Sequence, residues 1–73
     1  MGRVEVQFNN LLPLYMKVYE QVNGKPFESF IFYQGGFVRF ATCERFKHFP
    51  YHSVRFKQFE SYYIILQLKA EKI

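Results

Sequence analysis

The chain opens on an alternation. Val4, Val6 and Phe8 fall on one side of Arg3–Phe8, and Arg3, Glu5 and Gln7 on the other, which is the period-two pattern of a half-buried strand. Asn9-Asn10 then marks a turn. Leu14–Val22 fits two periods: Leu14, Met16 and Val18 alternate with Tyr15, Lys17 and Tyr19, while Leu14, Val18 and Val22 recur at i, i+4 and i+8. Pro13 suits a first helical turn, where its missing N–H costs nothing. Asn23-Gly24 is either a tight hairpin loop or a helix end with Gly24 in the left-handed conformation.

Downstream the pattern reads as sheet. Phe27–Tyr33 is a strand by composition, Gly35-Gly36 a turn, and Phe37–Thr42 a strand paired back on it, with Val38 and Phe40 inward and Phe37 and Arg39 outward. Pro50 ends what precedes it. Tyr51–Phe59 sets Val54 and Phe56 opposite Arg55 and Lys57, and Tyr62–Lys69 reads as a closing strand with Ile64, Leu66 and Leu68 inside. Short turns make such a meander antiparallel. Its outer face would present Tyr33, Phe37, Arg39, Tyr51, Arg55, Lys57 and Lys69.

Composition supports this reading. Val, Ile, Phe, Tyr and Thr number 27 against two Ala, and β-branched and aromatic residues fit a pleated surface better than a helix. The expected fold is therefore mainly β or α+β: a single domain over residues 1–73 with one small antiparallel sheet, a meander of four to six strands, and room for one short helix near residues 12–22. Ten Phe and six Tyr exceed what one small interior needs, since each ring buries ~150–250 Å². Some rings are left for a partner, a second copy or a ligand.

The net charge of +4 lies in one window. Phe37–Lys57 holds Arg39, Arg45, Lys47, Arg55 and Lys57 against Glu44 alone, and the flanking segments balance. Phe37, Phe40, Phe46, Phe49, Tyr51 and Phe56 are interleaved with these cations, as a surface that holds nucleic acid requires. The lone Cys43 cannot form an internal disulfide, which fits a reducing compartment. The start lacks an apolar signal core and Tyr62–Leu66, the longest apolar run, is too short to span a bilayer. The expected location is the cytoplasm, without a membrane partner.

Conventional catalysis finds little support. There is no Asp, so triad or paired-carboxylate chemistry would rest on six scattered Glu, and neither a Gly-x-Ser-x-Gly elbow nor a phosphate loop is present. Cys43, His48 and His52 lie within ten residues, but Pro50 would break a helix carrying both histidines and no fourth ligand follows. No metal or other cofactor is assigned; a buried thiol and two loop histidines account for the cluster. A metal-free ribonuclease would need a base, cations and a ring to hold a nucleobase, which His52, Arg39, Arg55, Lys57 and Tyr51 could supply. A solvated cationic sheet face needs nothing more than the composition.

Two resemblances bear on this. Val38-Arg39, then Phe49-Pro50-Tyr51 with Val54 and Phe56, then Tyr62-Tyr63-Ile64-Ile65-Leu66 make Phe37–Leu68 similar to the C-terminal sheet of RelE/ParE-type toxins. That resemblance implies a sheet on an N-terminal helical hairpin and a protein that cuts messenger RNA on the ribosome or poisons gyrase, neutralised by an antitoxin. Arg39 matches a recurring strand arginine of that family. Residues 9–26 leave room for one short helix, and Gln67-Leu68-Lys69 stands where many members carry a histidine or arginine. Gly36-Phe37-Val38-Arg39-Phe40 also resembles the second half of the central strand of an RNA-recognition motif, with Gln34 and Gly35 in place of its basic residue and first ring.

The sequence thus predicts a small basic domain that binds single-stranded nucleic acid, RNA or single-stranded DNA. Arg39, Arg55 and Lys57 would contact phosphates, Arg45 and Lys47 would stand at the rim, and Phe37 and Tyr51 would stack on bases. Two alternatives stay open: a protein-interaction or inhibitor module of phage or mobile-element type, homodimeric or docked on an acidic protein partner, and a degenerate RelE/ParE-like toxin.

Overall fold

In the computed structural model, which describes residues 2–72, the elements run α1 (Arg3–Asn23), β1 (Phe30–Gln34), β2 (Phe37–Ala41), a 3-10 turn (Glu44–Phe46), β3 (His52–Val54) and α2 (Phe56–Glu71). The class is α+β. The sheet is antiparallel with order β1-β2-β3, so it has three strands rather than four to six, and the two helices pack together over one of its faces.

Helix replaces strand at both ends of the chain. In α1, Phe8, Leu11, Leu12, Tyr15 and Met16 recur at spacings of three and four and all pack in or against the core, which only a helix allows. The alternation at Arg3–Phe8 misleads because Val4 and Val6 are 38% and 44% exposed, leaving Phe8 as the one buried residue of that set. Pro13 therefore sits inside α1 rather than at its start. It is exposed, so water can reach the carbonyl its missing N–H leaves free. Gly24 ends the helix at φ 74°, its N–H donating to the Glu20 carbonyl at 2.9 Å, as the left-handed reading of Asn23-Gly24 requires.

The same correction applies to Tyr51–Phe59 and Tyr62–Lys69. Only His52–Val54 of the first is strand, and α2 takes up the rest. Phe56, Phe59, Tyr62, Tyr63 and Leu66 form the packed stripe of α2, while Ile64 and Leu68, expected inside, are 48% and 54% exposed. The run Tyr62–Leu66 has the composition of a strand, and tertiary packing at helical spacing overrides that preference.

Gly35 and Gly36, at φ 61° and 83°, join β1 to β2. Two successive positive φ values give the hairpin turn whose twist matches its strands. The register pairs Ile31 with Phe40 and Tyr33 with Val38 on the inner face, and Phe30 with Ala41, Phe32 with Arg39 and Gln34 with Phe37 on the outer. Ile31, Val38 and Phe40 meet Phe8 and Tyr15 of α1 and Phe59 of α2 in the core. Phe59 is its centre, fully buried with rings of Tyr15, Phe8 and Phe40 at 4.8, 5.6 and 6.3 Å. Burial, reinforced by Tyr19, Tyr62 and Tyr51, pushes the Tyr15 hydroxyl up to about 12. No helix among the described residues is long and apolar enough to cross a membrane.

Candidate nucleic-acid interface

With both helices on the inner side, the outer face of the sheet is left to side chains that the core does not use. β1 contributes Phe30 and Phe32, β2 contributes Phe37 and Arg39, and β3 contributes Ser53 opposite Arg39. Arg55 follows β3 directly and holds an extended backbone, φ −71° and ψ 157°, at the N-cap of α2.

Two guanidinium groups share the Phe37 ring. Arg55 Cζ lies 4.6 Å and Arg39 Cζ 5.4 Å from its centroid, both within the range of cation–π attraction. Arg39 is further fixed from two sides: its Nε donates to the Gln34 carbonyl at 3.3 Å and its Nη1 to Ser53 Oγ at 3.2 Å. Both acceptors are neutral. These two bonds position the planar charge without neutralising it, and the guanidinium has further N–H donors to offer an anion.

The rest of the charged window divides. Lys57 stands in the first turn of α2 and joins Arg55, Tyr33, Gly36, Gln7 and the acidic Glu60 along a groove of about 750 Å³ where the helices meet the β1–β2 turn. The first turn of α2 has no acidic residue, and Arg55 has no side-chain cap bond. Two cations at the positive end of a helix oppose its dipole by roughly 0.3–1 kcal/mol each, a local cost that a bound anion would relieve. Lys47, just past the 3-10 turn, reaches the opposite rim with His48, beside Phe30 and Phe32. Arg45 lies on the 3-10 turn with its guanidinium 5.8 Å from the Phe46 ring.

Several expected members are elsewhere. Tyr51 is 60% exposed, but its hydroxyl donates to Ser29 Oγ at 2.7 Å and its ring is 6.5 Å from that of Phe40, an inner-face residue. It precedes β3 at a bend, so strand alternation does not govern it. Tyr33 pairs with Val38 and meets the Phe8 ring at 5.8 Å, on the helix side. Lys69 is in α2. Phe37 keeps its expected place on the outer face, half-buried under the two arginines.

The rings that remain open on this face are Phe30 and Phe32, stacked at 5.5 Å with 25° between planes. Sequence reasoning passed over them because the segment Phe27–Tyr33 is aromatic throughout; only the register, which puts Phe32 opposite Arg39, separates outer rings from inner ones. Cys43 is exposed, not buried, and His52 faces Phe40 with Nε2 3.4 Å from the Tyr62 hydroxyl. Among the described residues no three His, Cys or Glu side chains come together as a metal site.

Compared with protein-family models, with curated proteins and with solved structures, the chain matches none of them.

Proposed function

We propose that this protein binds nucleic acid through the outer face of its sheet. The observation that carries the reading is the pair of guanidinium groups held over Phe37, Arg39 donating to the Gln34 carbonyl and to Ser53 Oγ, beside the stacked Phe30 and Phe32. Phosphates would engage Arg39 and Arg55, and Lys57 and Lys47 extend the positive track toward opposite rims. Guanidinium planes and phenyl rings both stack on nucleobases. The exposed aliphatic stripe Ile64, Ile65 and Leu68 belongs to the helix layer and has no part in this contact.

Fluorescence anisotropy with a labelled oligonucleotide, repeated across a salt series, tests the reading. Affinity should fall linearly on logarithmic axes, and Arg55→Gln should reduce the slope by about one phosphate contact. Absence of binding at low salt, or a salt slope unchanged in Arg55→Gln and Arg39→Gln, overturns it.

A further inference from the structure

The outer face is not uniformly flat. Phe30 pairs with Ala41, which is on that face yet 0% exposed. Between β1 and the segment after β2 lies a cavity of about 310 Å³ lined by Phe30, Phe32, Tyr33, Gln34, Lys47 and His48, Tyr33 reaching it from the helix side of the strand. Its size is at the low end for small-ligand sites, roughly 300–1,000 Å³. Its walls differ chemically: two stacked phenyl rings on the strand side, an exposed ammonium and an imidazole on the loop side, and an exposed carboxamide at the edge.

We propose that this cavity is a subsite for one unpaired nucleobase, so that the face takes single strands in preference to duplex. This rests on the nucleic-acid reading of the same face. A ring can stack on a base only where the base shows its flat surface, and in a duplex those surfaces are covered by neighbouring pairs. The phenyl pair therefore has something to hold only in a single strand, a loop or a frayed end. Lys47 stands where it meets the phosphate flanking that base, and the Gln34 carboxamide and His48 ring offer donors and acceptors to the base edge. Arg39, opposite Phe32 in the register, then meets a phosphate one strand away. The site and the arginine pair are adjoining parts of one track.

The experiment compares three labelled probes of one length: a single strand, the same strand made abasic throughout, and the blunt duplex. The base-bearing strand should bind about tenfold more tightly than either of the others, as expected for one stacked base. Phe32→Leu keeps the apolar bulk and removes the ring face; it should erase that advantage while changing duplex affinity less than about twofold. Lys47→Gln, on an exposed side chain, tests the loop wall without risk to the fold, and circular dichroism checks both variants. Equal affinity for base-bearing and abasic strands, with Arg55→Gln still weakening both, overturns the pocket and leaves the phosphate-binding face standing. No binding of any probe overturns both.

Discussion

Along β2, Val38 and Phe40 turn toward the helices and are 0% and 4% exposed, while Phe37 and Arg39, each one residue away, stay half-buried on the other side. Both sets include aromatic side chains, yet the surroundings differ. Inner rings touch other rings from separate parts of the chain, as Phe40 does with Phe27 of the loop before β1, Phe59 of α2 and His52 of β3. Outer rings touch cations or each other. Aromatic residues thus do two jobs in one small sheet: on one side they supply apolar area for folding, and on the other they hold positive charge at the surface.

The sharpest test of this division is truncation on each side. Phe59→Ala, at the centre of the inner cluster, should cost about 3–5 kcal/mol, enough to unfold a domain whose whole stability is of that order. Phe32→Ala on the outer face should cost less than about 1.5 kcal/mol in urea denaturation, because the half-buried ring leaves no sealed cavity behind it. Comparable losses at the two positions would end the distinction.

Part of it is readable without coordinates. Val38 and Phe40 inward, Phe37 and Arg39 outward, and the Gly35-Gly36 turn all follow from alternation next to two glycines. Phe37 and Arg39 share the outer face by that alternation, whereas Arg55 meets them from the N-cap of α2 and not from the strand Tyr51–Phe59 that the sequence predicts. The helices were hidden because two periods overlap in a Phe- and Tyr-rich chain: Phe8, Leu11, Leu12 and Tyr15 carry the helical pattern of α1, but Val4 and Val6 imitate a strand just before it. In α2, aromatic and β-branched composition weighed against Phe56, Phe59, Tyr63 and Leu66 at helical spacing. Phe30 and Phe32 could not be singled out, since a segment with rings on both faces shows no alternation.

A second test acts on the inner side through pH. The Tyr15 hydroxyl titrates near 10 in the unfolded chain and near 12 in the fold, so the unfolded state loses its proton first. The corresponding stability is fully present below about pH 10 and declines as pH rises toward about 12. Tyr15→Phe should flatten that alkaline decline in urea midpoints while leaving the outer face unaffected. A decline of the same steepness in the variant would show that other groups cause it.

The smallest expected effect belongs to Phe37. Phe37→Leu preserves apolar bulk but removes the ring under Arg39 and Arg55, at about 0.5–1 kcal/mol per exposed cation–π contact. Stability should change little. Oligonucleotide affinity should drop several-fold with the salt slope retained, because the arginines are still present but less well placed. An unchanged affinity would mean that the Gln34 and Ser53 bonds alone position Arg39.

The missing acid in the first turn of α2 links this surface to the helix behind it. Arg55 caps that helix through its carbonyl, which accepts from the N–H groups of Gln58 and Phe59 at 3.0 and 3.1 Å, while its side chain lies on Phe37. The first turn of the helix consequently has no acid of its own to offset Arg55 and Lys57. Native-state hydrogen exchange should report that linkage as slower exchange of the Gln58 and Phe59 amides in the complex. Those amides bond to the carbonyl of Arg55, so their protection would register occupancy of its side chain as stiffening of the helix end that anchors Phe59 in the core.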